Sequence, residues 1–329
     1  MNSLEGRFPS VCPYSEPPFG EFTDDHVFPD FLGGRRSIRV CRECNNRFGY
    51  SFEAKAAEQL KRLQVFVSHF GLDLSRNAAT WPAALEIGGV TYDLKSGPNG
   101  VQYELARPVI RRDEKGNIVG GRARSRSEAK QFASGLLRRG KAKEVTLTDV
   151  PTEDIEDVKL TVALSYNADL NRFATKLASN MAVVVGREDL IKASSIAAYL
   201  HGNGGWATRV ATNDISAIRK LRPPLSHSVY VEFGPRSHAV VIIFGAIQVY
   251  TPLPASKDRS AFIAFLDPIT GEESFSEVQS VNIAPPAFYW TNAHASAHFA
   301  QIMRAFTNEA NARGAKRPPD LRVEFEICE

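Results

Sequence analysis

The 329-residue sequence predicts an α+β protein, with a small metal-clipped N-terminal module followed by a larger α+β domain built on an antiparallel sheet. Residues 1–50 are rich in turn formers (Pro9, Pro13, Pro17, Pro18, Gly20, Pro29, Gly33, Gly34) and hold three of the four cysteines, Cys12, Cys41 and Cys44. A segment so poor in apolar periodicity cannot build a large core and needs a staple such as zinc. The rest of the chain mixes helical apolar periodicities with short β-branched runs, the pattern of an α+β domain. The division expected from this change of character is residues 1–65 for the module and 66–329 for the domain.

The elements follow in order. From Asn45 the pattern becomes helical, with Phe48, Phe52, Ala56, Leu60 and Leu63 recurring every three to four residues. Residues 85–122 read as short strands separated by turns at 96–100 and 115–117, where glycine, proline and asparagine cluster. A helix is expected over 127–139, then a strand over Glu144 to Thr148. The strongest helix starts at Asn167 or Asp169. Its apolar face is Leu170, Phe173, Ala174, Leu177, Ala178, Met181, Val184 and Val185, and Gly186 ends it. One further helix is expected over Arg187 to Leu200. Strands are expected at Ser228 to Phe233, Ala239 to Tyr250 and Phe262 to Phe265, with a turn at 267–271 and a last helix from His294 to Asn311.

Composition is that of a soluble globular chain, 43% hydrophobic and 23% charged. No apolar run reaches the roughly 18 to 20 residues that a membrane helix needs, so no membrane partner is expected. The N-terminal residues lack the apolar region of a signal peptide, and the expected location is the cytoplasm. In a reducing compartment, clustered cysteines favour a metal site over disulfides. The net charge of +3 argues for no partner by itself, but its distribution does. Residues 107–143 carry a dense basic stretch that includes Arg122, Arg124 and Arg126, and Arg36, Arg39 and Arg47 flank Cys41 and Cys44. Such patches neutralise phosphates, although a solvated charged surface is the ordinary alternative.

The chemistry concentrates in Asp24-Asp25-His26 and Cys41-Arg42-Glu43-Cys44-Asn45-Asn46. Hydrolysis of a phosphodiester requires an activated water and a cation to neutralise developing charge. An imidazole suits the first task, and hard carboxylate and amide oxygens suit Mg²⁺ or Mn²⁺. Residues Asp25, His26, Val27, Phe28, Pro29, Leu32, Gly33, Gly34, Cys41, Cys44, Asn45, Asn46 and Gly49 together resemble the HNH endonuclease superfamily, whose fold is the ββα-metal module. That resemblance implies a β-hairpin carrying His26 packed on a helix beginning near Asn45, with DNA as the substrate. It makes His26 the general base and Asp25 and Asn45 the ligands of a catalytic Mg²⁺ or Mn²⁺, with Asp24 and Asn46 as their alternates. The middle asparagine of the family pattern is not evident, and Arg36 or Ser37 occupies that region.

The family also implies a structural zinc held by two Cys-x-x-Cys knuckles. Here the first reads Cys12-Pro13-Tyr14-Ser15, with serine where a second thiolate belongs. Serine is a poor ligand because its hydroxyl does not ionise near neutrality. Zinc would therefore sit on Cys12, Cys41, Cys44 and a fourth group, whether a nearby carboxylate, a distant histidine or Cys328. The alternative is loss of the zinc, with packing of Tyr14, Phe28 and Phe31 in its place. His69, His201, His227, His238, His294 and His298 receive no role, and His294 and His298 lack the glutamate of a zinc-protease helix. Residues 66–329 carry no motif tied to a reaction. They are expected to position nucleic acid or a protein partner, and a homo-oligomer stays open. The rival to a nuclease is an inactive zinc-ribbon module that binds DNA or a partner.

Overall fold

The computed structural model describes residues 11–17, 20–69, 72, 79–97, 100–141, 143–148, 160–163, 167–210, 216–223, 225–245, 247–281, 283, 303–314 and 323–326. Cys328, His294 and His298 lie outside them.

The module opens with strands β1 (Phe22–His26) and β2 (Ser37–Cys41), paired antiparallel so that His26 faces Ser37 and Phe22 faces Cys41. Between them a 3-10 turn over Asp30–Leu32 ends on Gly33, whose φ of +96° is a left-handed conformation that glycine adopts freely. The neighbouring Gly34 is required for a different reason. A Cβ there would lie 1.7 Å from the Phe28 carbonyl oxygen, so the loop closes only over a bare backbone. Helix α1 (Arg42–Phe48) starts directly from β2, with the Cys41 sulfur accepting from the Cys44 N–H as its N-cap. A π-helical turn over Gly49–Glu53 joins it to α2 (Ala54–His69). The expected apolar stripe of Phe48, Phe52, Ala56, Leu60 and Leu63 is wholly buried. Helix α2 runs past residue 65, and its Gln64 amide bonds the Phe31 carbonyl at 2.8 Å, anchoring the hairpin loop.

The region expected as short strands folds as β3 (Thr80–Ile87), β4 (Val90–Gly97) and β5 (Gly100–Leu105) in one sheet, with a separate hairpin of β6 (Val109–Arg112) and β7 (Ile118–Arg122). Helix α3 (Arg126–Arg138) follows. Its N-cap is Ser125, which accepts from the Glu128 N–H. The strand expected over Glu144 to Thr148 does not form. That segment is irregular and mostly exposed, with no partner strand among the described residues to take its backbone groups. Strand β8 (Leu160–Ala163) pairs parallel with β15 (Val323–Glu326), which is far from it in sequence.

Helix α4 (Ala168–Val184) is capped by Asn167 and closed by Gly186 at φ +75°, as its sequence signals require. The single helix expected over Arg187 to Leu200 is broken into α5 (Glu188–Lys192) and α6 (Ile196–Leu200). Here Ser194 and Ser195 interrupt it, the Ser194 hydroxyl bonding the Ile191 carbonyl. After β9 (Arg209–Val210) and α7 (Ser216–Arg219) come β10 (His227–Phe233), β11 (His238–Ile243), β12 (Ile247–Pro252), β13 (Ser260–Leu266) and β14 (Glu273–Val278). The run expected as one strand from Ala239 to Tyr250 is therefore a hairpin. It turns at Phe244 and Gly245, both at positive φ, and a Cβ on Gly245 would lie 2.8 Å from the Leu225 backbone nitrogen. A helix over 303–312, α8, covers the described end of the last expected helix.

These strands form an antiparallel sheet in the order β14-β13-β10-β11-β12-β9. Its central strands β10, β11 and β12 are buried on both faces. Val229, Val231, Ala239, Val241 and Ile243 join the main core, against which α4 packs, and Tyr230, Val240, Ile242 and Ile263 form a smaller one behind. The main core also contains the module's Phe28, Phe48, Phe52 and Leu60, so the two regions share one apolar interior. No helix among the described residues is long and apolar enough to cross a membrane.

Candidate active site and thiol cluster

Side chains alternate along β1, and this alternation sorts the acidic pair. Asp24 is exposed, Asp25 is buried, and His26 is half-buried at the end of the strand. Asp24 and His26 thus share one face of the hairpin. Asn45, on the second turn of α1, donates its side-chain N–H to the Asp24 carbonyl at 3.0 Å, which brings helix and hairpin together where the sequence expects them. An amide that donates through its nitrogen keeps its oxygen for another partner.

Asp25, expected as a ligand of the catalytic cation, faces inward and is engaged on both oxygens. The Lys176 ammonium of α4 lies 2.7 Å from Asp25 Oδ1, and the Asn180 amide donates to Asp25 Oδ2 at 3.4 Å. The Lys176 and Asp25 side chains are 1% and 5% exposed. Lys176 also donates to Glu53, from the π-helical turn, and lies 5.9 Å from the centre of the Phe48 ring. Burial alone would lower the Lys176 pKa, but the Asp25 and Glu53 carboxylates outweigh it and hold the ammonium above its ordinary value. Burial in turn raises the Glu53 pKa, and the Lys176 charge opposes that rise only in part. Asn180 further donates to the His26 carbonyl at 2.9 Å and accepts from the Tyr14 hydroxyl. Helix α4 therefore fixes the backbone of the proposed base and the side chain beside it.

A cation on Asp25 would have to share its carboxylate with the Lys176 ammonium or displace it. Asp24 and Asn45 offer oxygens outside that buried pair, the first of which was only an alternate. Asp24 has Arg39 as a neighbour, at 4.0 Å. Arg39 also donates to the Phe22 carbonyl, Arg47 donates to the His201 carbonyl, and Arg36 stacks 5.2 Å from the Phe275 ring centre. Arg122 and Arg126 are exposed on β7 and α3, and Arg124 is engaged with Glu128 at 2.7 Å.

Cys12, Cys41 and Cys44 converge, with their sulfurs all within 4.8 Å of one another and all three residues buried. The thiols share protons. A hydrogen bond from Cys44 pulls Cys12 down to about 5, and the same contact together with burial pushes Cys44 up. Such a donor set fits a soft or borderline cation such as zinc. Two further groups border it: Ser15 Oγ lies 3.4 Å from Cys41 Sγ, and His201 Nε2 lies 3.7 Å from Cys44 Sγ.

Lys176, Asn180, Glu53 and His201 carry no signal that sequence reading used. For the first two, the sign was there: Thr175, Lys176, Ser179 and Asn180 interrupt an otherwise apolar helix, and all four are buried. His201 lay unassigned because its partner cysteines are 157 or more positions away. A cleft lined by Glu232, Arg236, His238 and Tyr250 opens elsewhere and holds none of the expected groups.

No curated protein and no solved structure matches the chain. Residues 12–61 match the family described as HNH endonuclease, the span that holds the hairpin, α1, all three clustered cysteines and Glu53. The N-terminal module of this chain belongs to the HNH endonuclease superfamily.

Proposed function

We propose that the protein is a metal-dependent endonuclease that hydrolyses DNA in the cytoplasm, with His26 as general base. The observation that carries this reading is the shared outer face of Asp24 and His26 with Asn45 beside them, on a hairpin and helix of the HNH family. A ring nitrogen of His26 accepts the proton of the attacking water, and Asn180 holds the His26 backbone so that the ring stays aimed outward. Mg²⁺ or Mn²⁺, when bound, would neutralise charge developing on the phosphate. Asp24 and Asn45 offer the hard oxygens to hold it, while Asp25 serves only where Lys176 shares its carboxylate or is displaced. Cleavage leaves 5′-phosphate and 3′-hydroxyl ends, as the resemblance to HNH endonucleases implies. Residues 66–329 position the duplex or a protein partner, with the basic surface at Arg122, Arg124 and Arg126 as the contact, helped by Arg36, Arg39 and Arg47 near the module.

A second reading rests on the Lys176–Asp25–Glu53 cluster. A fixed ammonium that already neutralises Asp25 supports a module that binds DNA or a partner without cutting it. Plasmid DNA incubated with wild type, His26→Ala and Asp24→Ala, with Mg²⁺ or Mn²⁺ and with chelator, separates the two. Wild-type nicking that is lost in His26→Ala and under chelation supports the nuclease. Duplex binding without any cleavage by wild type rejects the nuclease and leaves the binding module.

A further inference from the structure

The sequence leaves the fourth position of the thiol cluster open, and the fold brings one group to it from far outside the HNH segment. We propose that His201 completes a Cys3His zinc site with Cys12, Cys41 and Cys44, so that the metal ties the module to the chain segment after α6. This holds whether or not the hairpin cuts DNA.

The spacing of the three sulfurs suits a tetrahedral ion. With Zn–S at about 2.3 Å and Zn–N at about 2.0 Å, tetrahedral angles place ligand sulfurs about 3.8 Å apart and sulfur and nitrogen about 3.5 Å apart. The sulfurs here lie within 4.8 Å of one another and His201 Nε2 lies 3.7 Å from Cys44 Sγ, but the imidazole is not within 4.8 Å of all three sulfurs, so the ring must shift to close the site. Ser15 stands nearer in sequence and its hydroxyl touches Cys41 Sγ at 3.4 Å, but a hydroxyl that stays protonated donates to a thiolate instead of replacing one.

The imidazole is also held ready. Its ring packs against Phe48 with centroids 5.1 Å apart, and the Arg47 guanidinium bonds its carbonyl oxygen at 3.4 Å. Without a cation, Nε2 donates to the Tyr14 carbonyl at 3.0 Å, so that His201 bonds the very turn that carries Cys12 and Ser15. Its Nδ1 is buried with no hydrogen-bond partner among the described residues, and the Nε2 bond to Tyr14 must break, with the proton moving off Nε2, before that nitrogen can coordinate. Both neighbours of the ring, Phe48 and Arg47, sit on α1 between Cys44 and Gly49. A ligand from residue 201 therefore joins the two ends of one interface.

The full-length protein, loaded with zinc, should hold one ion per chain, with an X-ray absorption spectrum of three sulfurs and one imidazole nitrogen. Four sulfurs, which would bring in Cys328, or three sulfurs and an oxygen would overturn the assignment, as would failure to retain zinc at all. His201→Ala should lower zinc affinity, in competition with a chelator, by on the order of 100-fold or more, beyond what loss of an outer-shell partner costs. It should also change the visible spectrum of the Co²⁺-substituted protein. His201→Cys should restore tight binding with a four-thiolate Co²⁺ spectrum, and Ser15→Ala should leave affinity unchanged. If Ser15→Ala weakens binding and His201→Ala does not, the fourth ligand is Ser15 and the proposal fails. Should His201→Ala not fold, the absorption spectrum of the wild type decides.

Discussion

Lys176 Nζ lies 2.7 Å from Asp25 Oδ1, an ion pair between α4 and the hairpin across 151 positions of sequence. Through this ion pair the second region takes hold of the residue next to His26. Removing one partner of a buried pair leaves an uncompensated charge, which costs roughly 3–5 kcal/mol. Lys176→Met should lose about that much in urea denaturation, since it strands both Asp25 and Glu53. Adding Glu53→Gln to it should recover part of the loss. A single-variant loss below about 1 kcal/mol would show that the pair is not formed in solution.

Gly34 is a steric requirement of the hairpin loop. The Cβ of Gly34→Ala would meet the Phe28 carbonyl oxygen at 1.7 Å, and backbone must move to admit it. Overpacking of this kind costs about 3 kcal/mol. Thermal unfolding should fall accordingly, with the exposed Gly20→Ala as a neutral control, because a Cβ at Gly20 meets nothing within 4 Å.

His227 sets a pH dependence. It is wholly buried, its Nδ1 accepts from the Phe244 N–H at 3.3 Å, and burial, reinforced by Arg222, depresses its pKa from 6.5 to about 3. A folded-state pKa below the unfolded value favours the neutral ring in the fold. That stability is fully present above pH 6.5 and is lost as pH falls toward 3. The expected slope is about 1.4 kcal/mol per pH unit at most. His227→Gln, which keeps an acceptor but does not titrate, should flatten the decline between pH 6.5 and 4.5, and an unchanged slope would assign acid sensitivity to other groups.

The basic surface should respond to salt. Arg122→Glu with Arg126→Glu should weaken duplex binding and reduce the slope of log K against log salt by about 0.9 for each phosphate no longer neutralised. Arg124→Glu is a less clean probe. It turns the Glu128 ion pair at 2.7 Å into a repulsion at the first turn of α3, so helix content must be checked alongside. Unchanged affinity and slope in the double variant would remove this surface from the proposed interface.

The module's hairpin and helix, the apolar stripe from Phe48 to Leu63 and the caps of α4 could be read from the sequence. The hairpin was implied by the family resemblance; the others rest on local signals, three- to four-residue spacing, Asn167 before the helix and Gly186 after it. The strand expected at Glu144 to Thr148 and the single strand over Ala239 to Tyr250 failed for a common reason. Whether an apolar run pairs, and where it turns back, depends on partner strands that local pattern does not contain. Phe244 and Gly245 reverse the chain inside such a run.

The residue types for the chemistry were set by the sequence: a histidine after two aspartates, an asparagine after a knuckle, and three thiols with one position short. Which aspartate faces outward, which cation meets Asp25 and what stands opposite Cys44 were decided by the fold. Lys176, Asn180 and His201 arrive from more than 150 positions away. Only packing α4 and the turn after α6 against the hairpin gives a buried lysine its carboxylates and an imidazole its sulfur neighbour, because burial makes such pairing obligatory.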